Sequence, residues 1–236
     1  MKSIVAFVVL LLLVCGTSCK KVDDTHTIRL IKAMKIDSNS CVINCLYDEQ
    51  NRILSASQCD TIETYSYSND TIYYERVQAG LLTYKYIYKL NTIGLVVAYT
   101  RVAADGSLSY FTDTYNTAAQ KIEWKDNTHD STYRIYTIAN GNVITEFSKS
   151  IISSQGNYTI NSIFYNGTEN TLSNDNFGRR FLGKSSANLR KADSYDTPDG
   201  QFTVSYTYEL DYLNGVHKRV TSINGNITEV RYYEYY

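Results

Sequence analysis

Proline occurs once in 236 residues, tryptophan once, methionine twice and histidine three times. The single proline lies in Asp196-Thr197-Pro198-Asp199-Gly200, a turn composition, so no candidate strand loses a ladder donor to proline. His26, His129 and His217 are scattered, without Cys, Asp or Glu at metal-ligand spacing, so no metal site is legible and no cofactor is expected. Neither sign of charge dominates: 23 Lys and Arg stand against 24 Asp and Glu, a net charge of -1. Nucleic-acid binding rests on clustered basic residues at phosphates, so nucleic acid is not expected as a partner. Also missing are a Gly-x-Ser-x-Gly elbow, a phosphate-cradling glycine loop and a complete calcium loop; Asp196 to Gly200 has the acidity of the last but not its ligand series.

The longest apolar run, Ile4 to Val14, follows Lys2 and precedes Cys15-Gly16-Thr17-Ser18-Cys19-Lys20-Lys21. A helix over it rises roughly 16 Å, about half of a hydrocarbon core of roughly 30 Å, so it reads as a signal-peptide core rather than a span. Small Ser18 before Cys19 suits cleavage and lipidation at Cys19, whereas Val14 before Cys15 is too bulky. Gly16 stands where the usual pattern has Leu or Val, and plain secretion is the alternative. The expected organisation is a lipoprotein signal over residues 1–18, a lipidated N-terminus and tether over 19–27, and one antiparallel β domain over 28–236. Cys19-Lys20-Lys21 with Asp23 and Asp24 close behind resembles Bacteroidota lipoproteins exported to the cell surface. That resemblance implies an outer-membrane lipoprotein, on the cell surface or the periplasmic face, with the membrane as partner through its lipid.

What the chain has in abundance is tyrosine, 23 residues, together with Thr, Ile and Val, all strand formers. Period-2 alternation recurs and helical periodicity is nearly absent. In Ser205 to Tyr212, Tyr206, Tyr208, Leu210 and Tyr212 share one face; Tyr84, Tyr86 and Tyr88 do so in the next clearest run. Turn signals separate the runs at intervals of roughly ten residues: Ser68-Asn69-Asp70, Asp105-Gly106, Asn140-Gly141, Gln155-Gly156-Asn157, Asn166-Gly167, Asp199-Gly200, Asn214-Gly215 and Asn224-Gly225. Asn-Gly and Asp-Gly suit type I′ hairpins, so consecutive strands are expected to pair. The fold class is all-β, a large antiparallel meander that is barrel-like or strongly curved, with about a dozen or more strands. Residues 168–194 lack alternation and are expected to form an irregular crossover over a mouth or edge of the sheet, with a helical turn or two in Ser185 to Lys191.

Around Glu49-Gln50-Asn51 a three-residue loop with Asn51 left-handed places Asp48 opposite Arg52 and, in unbroken register, Cys41 opposite Cys59. A disulfide there needs the Cα atoms within about 7 Å and an oxidising compartment. The competing reading makes Cys41, Cys45 and Cys59 small apolar residues, the odd count arguing against a disulfide framework.

Tyr47-Asp48-Glu49-Gln50-Asn51-Arg52-Ile53 is similar to the Tyr-Asp hairpin repeat of bacterial surface proteins, with Asn51 where glycine is usual. With Phe181 to Leu189, Tyr206 to Asp211 and the closing Tyr232-Tyr233-Glu234-Tyr235, the layout resembles a Bacteroidota lipoprotein family catalogued as a domain of unknown function with a porin-like fold. The resemblance implies a barrel-like sheet and supplies no catalytic residue. An integral outer-membrane barrel is the rival form, but counting back in twos from Tyr236 meets Glu234 before Tyr232 and Val230, which interrupts a lipid-facing row.

Trp124 is the best single sugar-stacking candidate, although it shares a strand face with Ile122 and so suits a core as well. Thr61, Thr71 and Ser131 stand in Asp-Ser/Thr-x triplets that resemble O-glycosylation sites of Bacteroidota envelopes. Asp126 and Asp130 are one carboxylate pair among many that a β protein offers for glycoside hydrolysis. The expected role is therefore a non-catalytic envelope binding module for a glycan or a partner protein, with an all-β envelope hydrolase as the alternative.

Overall fold

The computed structural model describes residues 28–37, 40–116, 121–127, 132–150, 156–183 and 185–236. The Tyr/Thr/Val/Ile runs become β1 (Ile31–Ile36), β2 (Val42–Tyr47), β3 (Ile53–Gln58), β4 (Thr61–Ser68), β5 (Thr71–Gln78), β6 (Leu81–Leu90), β7 (Val96–Ala103) and β8 (Leu108–Asn116). The second half supplies β9 (Lys121–Asp126), β10 (Thr132–Ala139), β11 (Asn142–Ser150), β12 (Tyr158–Glu169), β13 (Asn188–Thr197), β14 (Gly200–Leu210), β15 (Val216–Ile223) and β16 (Asn226–Tyr235). Each strand pairs antiparallel with its chain neighbours, and β16 returns to β1 with Met34 opposite Tyr233, so the sheet closes into a barrel. Closure pairs every edge, which removes the aggregation hazard of a long Tyr-rich strand.

Alternation decides what fills the barrel. On β6, Tyr84, Tyr86 and Tyr88 pack into the interior cluster while Lys85 and Lys89 lie on the other face. Tyr65, Tyr74, Tyr86 and Tyr88 form a continuous series of ring contacts, with centroids 4.9 to 5.7 Å apart, and Phe181 lies 5.7 Å from Tyr88. Each such pair stabilises by about 0.5–1.5 kcal/mol beyond burial. Two flanking tyrosines place their hydroxyls on neighbouring backbone: Tyr47 donates to the Ile31 carbonyl and Tyr67 to that of Ile53, both at 2.7 Å. A second cluster joins Ile31, Leu189, Val216 and Tyr233.

Several turns differ from the sequence expectation. Asn140-Gly141 and Asn224-Gly225 do take positive φ at both positions, the I′ geometry. Asn166-Gly167 instead lies inside β12, where the register against β13 shifts, so the glycine at φ 69° makes a bulge rather than a turn. Asn214-Gly215 belongs to a five-residue loop that starts at Asp211, whose Oδ1 accepts from Leu213 and Gly215 N–H at 2.9 and 2.8 Å. Asp48 and Asn91 organise their loops in the same way, with Asn51, Gly94 and Asn214 left-handed at the fourth position. Because β14 ends at Leu210, Tyr212 is not on its buried face and is 91% exposed.

The irregular segment is also shorter than expected. β12 runs to Glu169 and β13 starts at Asn188, leaving residues 170–187; the helical turn is a 3-10 turn at Arg180–Leu182, and Asn188 to Lys191 are strand. This segment folds into one end of the barrel as a plug. Ile31 N–H donates to the Asn176 carbonyl at 2.9 Å, Ile53 N–H to Gly178 at 3.2 Å and Ala187 N–H to the Gly141 carbonyl at 2.9 Å. Buried irregular backbone needs partners, and its Asn and Ser side chains supply them. Asn174 Nδ2 donates to the Gly183 carbonyl, Asn176 Nδ2 to that of Arg29, and Val143 N–H donates to Ser186 Oγ.

Candidate functional site

Two cavities of more than 300 Å³ border the plug inside the barrel. One, of 390 Å³, lies between the plug residues Asn174, Phe177 and Arg179 and the far rim at Gln58 and Thr61. The other, of 330 Å³, lies against Ser185 and Ser186 of the plug and is lined by Glu146, Arg190, Tyr206 and Arg219. Both volumes fall in the range of small-ligand sites, about 300–1,000 Å³.

Arginines project from the inward faces of the strands. Arg76 follows Tyr74 on β5, and Arg231 precedes Tyr233 on β16, each two residues from a buried ring and therefore on its face. Arg76, Arg179 and Arg231 line the 390 Å³ cavity, where Glu63 is the one carboxylate among the lining residues. Arg179 reaches Glu63 at 3.3 Å and lies 5.4 Å from the Tyr65 ring. Glu229 ties the two cavities together, accepting from Arg219 at 2.9 Å and from Arg231 at 2.6 Å. Burial pushes its carboxyl up, but the bonds from Arg231 and Arg219 outweigh that and hold it below the usual range. Arg76 donates to the Tyr84 hydroxyl at 3.1 Å.

Beside the second cavity, Asp193 has a fully buried side chain that accepts from Ser162 at 2.6 Å, Tyr206 at 2.9 Å and Arg190 at 3.0 Å. A carboxylate so completely satisfied positions Arg190 and Tyr206 and is closed to substrate. Asp113 on β8 contrasts with it: burial alone pushes its carboxyl up to about 6, yet it lines neither cavity. Cys45, on the cavity wall, is a buried free thiol whose pKa burial raises, so it is poorly reactive. Among the described residues no group of three His, Cys, Asp or Glu is arranged to hold a metal.

The residues singled out from sequence scatter around this site. Cys19 and Ser131 lie outside the described residues. Trp124 sits on β9 opposite Asp113 and Arg134 in register, and its side chain is outside the described set. Thr61 lines the 390 Å³ cavity at its rim. Thr71, at the opposite end of β4–β5, is 3% exposed, its hydroxyl donating to Asp70 at 2.8 Å and accepting from Lys89 at 2.7 Å. Cys41 and Cys59 are bridged across the far rim, Cα–Cα 5.6 Å, and both residues are exposed, leaving Cys45 as the buried cysteine of the three.

The route to that bridge differs from the expected register. Asp48 and Arg52 do close a three-residue loop with Asn51 at φ 61°, and Tyr47 faces Ile53. A bulge then shifts the pairing so that Cys45 faces Ala56, and Cys59 meets Cys41 from the β3–β4 turn rather than from within a ladder. The lumenal arginines were missed by the sequence reading. Their signal was present: a charged residue on the same parity as buried tyrosines.

Two crystal structures share this architecture. A porin-like protein from Bacteroides uniformis superposes with a TM-score of 0.65 at 14% identity, over 87% of this chain and 98% of that one. A porin-like protein from Bacteroides vulgatus gives 0.60 at 11% identity, over 88% and 99%. The likeness is one of fold. No protein-family model and no curated protein matches the chain.

Proposed function

We propose that this protein is a lipid-anchored envelope barrel of the Bacteroidota lipoprotein type that binds a glycan inside its lumen without transforming it and without spanning a membrane. The observation that carries the reading is the blind cup: a plug held to β1, β3 and the β10–β11 turn closes one end, and a polar cavity faces the other. The guanidinium groups of Arg76, Arg179 and Arg231 and the amides of Gln58 and Asn174 on its wall are side chains that hydrogen-bond to sugars.

The outer face argues against immersion in lipid. Glu75 and Lys85 stand opposite each other across the middle of β5 and β6, Nζ to Oε1 3.9 Å, and Asn161 opposite Ser194 on β12 and β13. Charged groups at bilayer depth cost about 2–4 kcal/mol for Arg or Lys. A binding role is favoured over hydrolysis because the raised carboxyl, Asp113, lines neither cavity, whereas Glu229 is held ionised by two arginines.

Membrane fractionation tests the anchor: a Cys19→Ala chain is expected in the soluble fraction without detergent. Its retention as an integral protein, or conductance steps in planar bilayers, overturns the non-spanning reading. A glycan array probed with the intact protein tests the binding role; absence of any bound polysaccharide overturns the glycan reading.

A further inference from the structure

We infer that the 390 Å³ cavity is an oxyanion site, which makes the lumenal ligand an acidic saccharide bearing carboxylate or sulfate groups. The inference rests on the lumenal glycan reading above and names the class of sugar. Three guanidinium groups, Arg76, Arg179 and Arg231, line the cavity against one carboxylate, Glu63. Adding the neighbouring Arg219 and Glu229 leaves the surplus of two positive charges unchanged. The chain as a whole carries a net charge of -1, so this is a local concentration of positive charge and not a consequence of a basic protein.

Each arginine reaches the cavity from a different part of the fold: β5, the plug and β16. Glu63 is engaged by Arg179, and Glu229 is divided between Arg219 and Arg231. Arg76 stands opposite Glu63 in register, but its hydrogen bond goes to the Tyr84 hydroxyl, a neutral group, and its Nε–H, like those of Arg179 and Arg231, meets no acceptor. Two carboxylates, Glu63 and Glu229, are shared among four guanidinium groups, and an incoming oxyanion would supply a further counter-charge. The groups also remain reachable. The side chains of Arg179 and Arg231 are both 29% exposed, inside a polar cup whose low-dielectric walls focus positive potential. Planar, multiply donating guanidinium groups match carboxylate and sulfate oxygens. Because Arg179 belongs to the plug, a bound anion also ties the plug to the wall.

Calorimetric titration of the intact lipidated protein in detergent tests this with three oligosaccharides of equal length: a uronate oligomer, a sulfated oligomer and a neutral one. The expected result is that one acidic oligomer binds about tenfold or more tighter than the neutral one, with affinity falling as salt rises. The arm that binds identifies carboxylate or sulfate as the source of the charge. Arg76→Met is expected to lose about tenfold for the acidic ligand, and Arg76→Lys to retain most of it; a normal thermal melt for the lysine variant excludes misfolding as the cause. Equal binding of neutral and acidic oligomers, unchanged in Arg76→Met, overturns the oxyanion site and leaves the lumenal glycan reading intact. Failure of all three to bind overturns both.

Discussion

Single residues in this barrel are read by which face they occupy. Asp113 is the clearest case, a carboxylic acid on the face of β8 that carries Phe111, with burial raising it from an ordinary 3.8 to about 6. The folded state therefore holds that proton more tightly than the unfolded chain. Between pH 3.8 and about 6 folding stability falls as pH rises, and above about 6 the loss is complete. The Asp113 contribution amounts to about 1–2 kcal/mol once partial exposure is discounted. Asp113→Asn is expected to gain that amount at pH 7 and nothing at pH 3.5, measured by denaturant unfolding against the parent; an equal effect at both pH values contradicts it. Glu229 runs the other way: its lowered pKa contributes stability above its unfolded value, lost as pH falls through the folded one.

At the scale of elements, the plug and the hairpins are governed by different physics. Gly178 adopts φ 65°, and a Cβ there would lie 2.8 Å from both the Asn51 carbonyl oxygen and the Ile53 nitrogen. Gly178→Ala combines a strained backbone with a clash against backbone atoms and is expected to cost about 2–4 kcal/mol. Hydrogen exchange checks the location: protection is expected to drop first at the Ile53 and Ile31 amides, which donate into the plug. The Cys41 to Cys59 bridge closes a separation of 18 residues at the opposite rim. Intact-mass measurement is expected to show a gain of two hydrogens on reduction, with a stability loss of about 2–4 kcal/mol. An unchanged mass overturns the bridge.

Legibility also divides by element. The β2–β3 loop was readable because Asp48 makes its bonds to Gln50 and Arg52 within five residues of sequence. The bulge after Ile53 was not, because it is set by Ala56 packing into the cluster with Cys45 and Tyr65 across the strands. In the plug, Asn174 and Asn176 were visible as a cluster, but their partners, Gly183 and Arg29, are 9 and 147 residues away.

For the whole molecule, closure is the cooperative step. β1 and β16 meet across nearly the full described chain, Ile31 opposite Tyr235, and their pairing leaves no open edge. Deleting β16 exposes β1 and β15 at once and strips the second cluster of Tyr233. A chain ending at Gly225 is expected to lose the cooperative unfolding transition altogether; a sharp melt in near-UV circular dichroism contradicts that.

Alternation of tyrosine with polar residues by itself determined that this protein is all-β and antiparallel, because a period of two and local turn chemistry are properties of neighbouring residues. Tertiary structure decided the rest. Whether the sheet closes, which irregular segment enters the lumen, and that arginines from β5, β16 and the plug surround one cavity all depend on contacts between residues far apart in the chain, and no local spacing encodes where those residues meet.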